Sequence, residues 1–309
     1  MDRFEAMRTL VAAVDGGSLS AASRALNLPL PTVSRRVSDL ETMLGARLVV
    51  RTSRKLLPTE AGVAYIASAR RVLEALADAE RAVAGEYRMP RGELLVTAPI
   101  LFGKLNVAPV VHEFLAVYPD VGVRLVLSDS VMDLVENHID VAIRIGPLPD
   151  SALVARRAGD IRWVVCASPE YLTRHGEPAE PGDLSAHDCI AFEGLQRYRE
   201  WLFVGGNGER RQVTIRPRFS VNTADAVMGG AVAGLGVARL LSYQVAAAVR
   251  AGTLVPILSD WAAAPMPVQL VHAPQQPRPL KLSAFLEFLM PRLKHRLRAI
   301  EDVFGAPAS

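Results

Sequence analysis

The sequence predicts a multidomain α/β protein: an all-α head carrying one β-hairpin, a long connecting helix and an α/β body. Three observations predict it. The 309 residues exceed what a single hydrophobic core usually serves. Apolar residues recur at helical spacing through most of the first ninety positions, and strand-like and helix-like segments alternate afterwards. Charge divides at the same place, with 13 basic against 10 acidic residues up to residue 90 and 22 against 22 beyond it.

In the head, Phe4, Met7, Leu10, Val11 and Val14 lie at helical spacing, and Gly16-Gly17 stops that helix. Ser18 is a natural N-cap for the short segment Ser20–Leu26, whose alanines imply a close crossing by another helix. Asn27-Leu28-Pro29-Leu30-Pro31 cannot be helical throughout, so a third helix begins near Pro31 and runs to about Glu41. It buries Val33, Val37 and Leu40 and exposes Thr32, Ser34, Arg35 and Arg36. Two short helices joined by a tight turn, the second with hydroxyl and guanidinium groups outward, describe a helix-turn-helix able to read a major groove. A plain helical hairpin with a solvated face fits the same residues.

Leu44–Thr59 is two apolar runs around a basic polar tip, which reads as a β-wing placing Arg51, Arg54 and Lys55 against phosphates or the minor groove. From Arg24 to Lys55 seven basic residues face only Asp39 and Glu41, a cluster that suits a polyanion or, alternatively, a merely solvated face. The connecting helix runs from Thr59-Glu60 to about Tyr87, with Ile66, Ala69, Leu73, Leu76 and Val83 as a pairing seam or as the buried face of a capping helix. Pairing would present two recognition helices to a two-fold DNA site.

The order of these residues resembles the LysR-type transcriptional regulators. Ala21-Ala22 with Arg24-Ala25-Leu26, Val33-Ser34-Arg35, Leu40-Glu41, Leu44-Gly45, Arg47-Leu48, Arg51-Thr52 and Leu57-Pro58-Thr59-Glu60-Ala61-Gly62 carry the resemblance. It implies a winged helix-turn-helix (1–60), a linker and dimerisation helix (59–90) and an effector-binding domain (91–309), in a homodimer or homotetramer on an interrupted palindromic operator of double-stranded DNA. The DNA contacts it implies are Ser20, Leu30, Pro31, Thr32, Ser34, Arg35, Arg36, Arg51, Thr52, Arg54 and Lys55. Many members have Ser-Gln-Pro or Ser-Gln-Ser entering the recognition helix; here Pro29-Leu30-Pro31 stands there, and Leu30 can meet a thymine methyl but cannot hydrogen-bond a base.

The body reads as strands at Leu94–Thr97, Val123–Leu127, Val141–Arg144, Trp163–Ala167, Cys189–Phe192, Arg218–Val221 and Val268–His272. Helices are predicted over Phe102–Tyr118, Val131–Asn137, from Thr223 onward and over Lys281–Leu293. Ligands of open α/β sheets collect beyond the C-terminal strand ends. Thr97-Ala98-Pro99-Ile100-Leu101-Phe102, Ser128-Asp129-Ser130 and Asn222-Thr223 are such places, the last also explicable as plain capping. Arg144 is a cation for an acidic ligand or a partner for a nearby Asp. Asn137–Gly146, Ala167–Leu172, Asp183-Leu184 with His187-Asp188, and Gly234–Ala238 extend the resemblance. They imply a two-lobed body like the periplasmic solute-binding proteins, one lobe from about 92–161 plus 268–309 and the other from about 162–267. A small-molecule effector, acidic or aromatic, would sit between them near Thr97, Pro99, Ile100, Leu101, Phe102, Ser128, Arg144, Phe192 and Asn222.

Enzyme classes fare worse. His138 with Asp140, His187 with Asp188, and Cys166 form no motif with a third partner, and Gly230–Gly236 lacks the order of a dinucleotide loop and reads as close helix-to-sheet packing. Cys166 and Cys189 match no metal or redox spacing, so no catalytic residue, metal or cofactor is expected. Met1–Glu5 leads directly into a charged amphipathic pattern, and Ala226–Ala238 is far short of the roughly 20 apolar residues of a membrane span. The expectation is a cytoplasmic DNA-binding regulator, acting with RNA polymerase and not with a membrane; a freestanding solute-binding protein is disfavoured by the basic head.

Overall fold

The computed structural model describes residues 2–51, 56–83, 89–193, 199–261, 263–275 and 278–305. Its chain divides into two compact units, Met1–Met89 and Pro90–Ser309.

In the first unit α1 (Arg3–Asp15) is capped by Asp2, whose carboxylate accepts from the Phe4 amide at 2.9 Å. Its buried face is Ala6, Thr9, Leu10 and Ala13, while Phe4 is exposed. The helical period was legible, but the face is centred on the alanines because α2 (Leu19–Leu26) crosses so closely: a Cβ on Gly16 would come within 2.6 Å of that of Ala21. Ser18 caps α2 through the Ala21 amide at 3.1 Å, and Asn27, in left-handed conformation, ends it. Helix α3 (Leu30–Leu44) buries Val33, Val37 and Leu40 and stops at Gly45, also left-handed. Strands β1 (Val49–Arg51) and β2 (Leu56–Pro58) pair antiparallel as the expected wing. Helix α4 (Glu60–Val83) follows, about 36 Å long at the standard rise.

In the second unit β3 (Gly92–Ala98) leads to α5 (Ile100–Phe102), a π-helical turn (Gly103–Val107) and α6 (Ala108–Val117). By length and composition this continuous helix would suffice to cross a membrane, yet Phe102, Val107, Val110, Val111 and Phe114 are buried in the unit's core. Next come β4 (Val121–Leu127), β5 (Val141–Ile145), β6 (Val154–Ile161), β7 (Trp163–Ala167), α7 (Pro169–His175) and β8 (Cys189–Phe192). The chain continues through β9 (Glu200–Val204), β10 (Arg210–Thr214), β11 (Pro217–Val221), α8 (Ala224–Val232), β12 (Val237–Leu241) and α9 (Ser242–Arg250). It ends with β13 (Val255–Ile257), β14 (Met266–His272) and α10 (Leu280–Glu301).

These strands build two sheets, ordered β4-β3-β5-β14-β6 and β11-β8-β12-β7-β13, with β9 and β10 as a separate hairpin. Each sheet contains a parallel block, β4-β3-β5 in one and β11-β8-β12 in the other, so C-terminal strand ends gather at one edge of each. Cores lie between sheet and helices: Phe114, Phe285 and Leu289 in the first, Val227, Leu240 and Val245 on one face of the second.

Three expectations are corrected. Val131–Asn137 is not a helix but a run of turns: Asp133 caps the amides of Val135 and Glu136, Val131 and Val135 are exposed, and His138 takes positive φ. Leu134 is buried there, with Met132 packed against the same cluster, but one buried turn does not offset helix nucleation. The last helix runs on to Glu301, through Pro291, because Pro291 lies on the exposed side while Leu289, Leu293 and Leu297 continue the buried stripe. Strand β6 was not foreseen; Ala155-Arg156-Arg157 is exposed along a sheet edge and carries no alternation.

Candidate DNA interface and effector site

The recognition surface is built by bracing α3 from behind. Arg36 turns back to Glu5 of α1, with Nη1 to Oε2 at 2.8 Å and its side chain only 26% exposed, and lies 3.5 Å from the Thr9 hydroxyl. It is therefore a strut and not the outward-facing group predicted from the helical wheel. Glu41 accepts from the Leu48 amide at 2.7 Å and the Val49 amide at 3.1 Å, joining the end of α3 to the root of the wing. Thr59 donates to the Arg47 carbonyl at 2.7 Å and accepts from the Gly62 amide at 2.9 Å, so it caps α4 and closes the wing together. At Gly62 any Cβ would overlap the Leu48 carbonyl oxygen, so the helix meets the wing backbone to backbone.

What remains outward is Leu30, 44% exposed, with Ser20, Pro31 and Arg35 exposed and Thr32 and Ser34 half-buried. Arg35 is 83% exposed and, among the described residues, held only by a 3.9 Å contact to Asp39 one turn on, a screened pair of small worth. Its guanidinium is thus available to a base edge at little cost. Arg51 lies in β1; the predicted wing-tip residues Thr52, Arg54 and Lys55 lie outside the described residues.

The expected pairing seam is split. Ile66 and Ala69 are buried in the chain's own first unit, Ile66 within the α1–α3 core, and Arg70 pairs with Asp15 of α1. Leu73 and Leu76 are half-buried and Val72 is exposed; the side chain of Val83 is outside the described residues. The first three turns of α4 belong to the head, which a single helical period does not reveal.

In the second unit the register brings Thr97, Ser128 and Arg144 to one strand edge. Thr97 pairs with Val126 on one side and Ala142 on the other, and Ser128 donates its amide to the Ala98 carbonyl at 3.0 Å. The connection after β3 runs to β4 on one side, whereas β5 continues toward β6 on the other, so Thr97 and Arg144 flank a topological switch point. Pro99 precedes α5, and the free Ile100 amide donates to Asp129 Oδ1 at 3.0 Å. The Thr97 hydroxyl is fully buried with no hydrogen-bond partner among the described residues. Arg144 donates to the Met132 carbonyl at 3.0 Å, and burial draws its guanidinium below the usual value. Among the described residues Arg144 forms no ion pair with an Asp, and its hydrogen bond goes to that carbonyl.

On the other sheet Phe192 pairs with Val221, placing Phe192 and Asn222 together at the end of β8 and β11, with Asn222 exposed. Thr223 sits at the head of α8, where its hydroxyl bonds Asp225 and holds that carboxyl below the usual range, assisted by the Ala226 amide and Lys104. Leu101 packs against both lobes' cores. Phe102 is corrected: it is wholly buried, edge-on to Tyr243 at 5.0 Å, and supports the wall without offering a face to a ligand. Asp129 and Met132 were not singled out as contributors, although Asp129 stands in the polar triplet that flagged Ser128.

Cys166 and Cys189 are buried free thiols pushed up to about 12 by desolvation, which leaves them un-ionised and poorly nucleophilic. Tyr171 stacks on His175 and its hydroxyl lies 3.2 Å from His187 Nδ1, so that histidine is engaged in packing α7. Among the described residues no group of three or more His, Cys, Asp or Glu is placed to hold a metal.

A braced helix-turn-helix with a wing, followed by two open sheets with gathered strand ends, defines a transcription regulator that couples DNA reading to small-molecule sensing. Residues 4–63 match the family described as "Bacterial regulatory helix-turn-helix protein, lysR family", and residues 88–294 match the "LysR substrate binding domain". A HTH-type transcriptional regulator of Xanthomonas campestris is 36% identical, over 92% of this chain and 83% of its own. CrgA of Neisseria meningitidis is 32% identical over 95% and 98%. In its solved structure, covering 94% of this chain and 98% of that one, the TM-score is 0.60. Full-length AphB, a virulence activator of Vibrio cholerae, gives 0.61 at 28% identity, over 94% and 99%. The chain belongs to the LysR family of transcriptional regulators, with a helix-turn-helix DNA-binding domain and an effector-binding domain.

Proposed function

We propose that the chain acts in the cytoplasm as a homodimer or homotetramer on an interrupted palindromic operator, and that an acidic effector with an apolar body changes its engagement with DNA and RNA polymerase. The observation that carries the DNA half is the division of labour on α3. Arg36 anchors the helix to α1 while Arg35, one residue earlier, is 83% exposed and meets only the loose 3.9 Å contact to Asp39 among the described residues. Leu30 would meet a thymine methyl at the entry of the helix, and Arg51, Thr52, Arg54 and Lys55 would contact phosphate or the minor groove. Leu73 and Leu76, beyond the turns of α4 spent on the chain's own head, would carry the seam between protomers.

For the effector, Thr97, Pro99, Ser128 and Arg144 supply a polar edge, with Ile100, Leu101 and Phe192 as apolar walls and Asn222 at the far side. Arg144 supports an acidic ligand because it is partly desolvated and bound only to a carbonyl among the described residues. Ligand-dependent closure of the lobes would alter the spacing of the DNA-binding heads. Footprinting of the purified protein on DNA upstream of its own gene tests the reading. A protected interrupted palindrome, with protection altered by an organic acid, is expected; no protection there or at neighbouring promoters would sink it.

A further inference from the structure

The two sheets of the second unit are joined through Arg162, the single residue between β6 and β7. Beside that joint lies a cavity of about 290 Å³. Its lining takes Arg162 and Trp163 from the crossing, Ala263 from the return path to β14, and Val303 and Phe304 from the chain just after α10. None of the strand-end residues assigned to the effector lines it.

Two arginines border the cavity, with different fates. Arg162 Nε donates to Glu301 at 2.7 Å, and the Ser242 hydroxyl donates to the other oxygen of that carboxylate at 2.8 Å, so its charge is answered within the fold. Arg239 has no such answer among the described residues. One terminal nitrogen donates to the Leu202 carbonyl at 3.0 Å, and the guanidinium rests 4.9 Å from the ring centre of Trp163 and 5.6 Å from that of Phe203. Ring faces attract the charge but do not accept the in-plane hydrogen bonds of a fork with five N–H donors. Burial pushes this guanidinium down to about 10, the mark of a cation short of both water and counter-ion. Low-dielectric walls that make such a cation costly also strengthen its pull on an anion.

We propose that this cavity binds a small organic carboxylate with a flat apolar body, the carboxylate meeting Arg239 beside Trp163 and the body lying against Trp261 and Phe304. The volume is at the lower end for ligand sites and suits a single ring. Because both crossings between the sheets and the end of α10 border it, occupancy ties together the segments that must shift when the lobes close. It is a second ligand site, placed at the joint instead of at the strand ends.

Trp163 and Trp261 are two of the three tryptophans, so indole emission of the full chain reports on the cavity. Titration with 4-nitrobenzoate, a quencher, should give saturable quenching, and its uncharged methyl ester should not. Arg239→Gln should weaken the acid about tenfold or more, while Arg144→Ala should leave this binding unchanged. Absence of saturable quenching, equal binding of acid and ester, or loss in Arg144→Ala with retention in Arg239→Gln would each overturn the site. Should Arg239→Gln fail to fold, Arg239→Lys and the acid–ester comparison on the unaltered chain decide it.

Discussion

The head and the body of this protein put their functional side chains together in opposite ways. On the first unit the α3 residues proposed for DNA, Leu30, Pro31, Thr32, Ser34 and Arg35, come from six consecutive positions, with Ser20 of α2 exposed beside them. In the sensing unit Thr97 of β3, Arg144 of β5 and Ser128 just beyond β4 come from three separate places in the chain and are buried or half-buried. A surface that reads a rigid external polymer is presented by one braced helix; a site that must enclose a small molecule needs walls from several elements. The difference teaches where each unit is fragile: the head at its bracing contacts, the body at the close approaches that set strand ends in register.

The largest effects should come from those approaches. Gly62→Ala drives a methyl into the Leu48 carbonyl and should destabilise the head by more than about 3 kcal/mol, abolishing DNA binding while the body still melts as before. Gly236→Ala, which meets the Asp188 carbonyl, should do the reverse, removing the body's transition and sparing the head's. Calorimetry of both variants checks this, and a single shared transition would break the comparison. Next in size, Arg35→Ala should cost about 1–3 kcal/mol on the specific site and much less on random DNA; equal losses would demote Arg35 to a phosphate contact. Arg144→Ala should remove the response to an acidic effector with operator affinity intact, and an unchanged response would take Arg144 out of the site.

Smaller still, Arg36→Ala should lower the head's stability by about 1 kcal/mol, the pair with Glu5 being partly exposed, and relax no base preference. A changed preference in a binding-site selection would return Arg36 to the DNA surface. The smallest effect concerns the thiols. With their native values raised from 9 to about 12, Cys166 and Cys189 should resist a thiol-specific disulfide reagent at pH 8 and react fully on unfolding. The stability they contribute is intact below pH 9, where both states are protonated, and is lost as pH rises toward 12 because only the unfolded thiols ionise early. Prompt native-state labelling would contradict their burial.

The head's three helices and its wing were legible because each is signalled locally: Gly16 and Ser18 as caps, Pro31 in the first turn, basic residues between two apolar runs. The direction of individual side chains was less so. A helical wheel places Arg36 on the open face, and only the position of Glu5 thirty-one residues earlier turns it inward. In the body β3, β4, β5 and β8 announced themselves as apolar runs bounded by turns, whereas β12, behind its glycines, and the Arg-rich edge strand β6 were not read as strands. Val131–Asn137 shows the converse error, an apolar spacing from which Leu134 is buried out of a turn while Val131 and Val135 stay exposed.

By itself, then, the sequence determined the order of elements in the head, its basic charge and the strand ends near Thr97, Ser128 and Arg144, since propensity, capping and charge act over a few neighbouring residues. Tertiary structure alone decided that Ile66 and Ala69 belong to the head, that Phe102 is wall and not contact, and that Arg162 is neutralised while Arg239 is left facing a cavity. Those outcomes depend on partners distant in sequence, such as Glu301 for Arg162, and on whether burial brings a counter-charge with it, which no local pattern encodes.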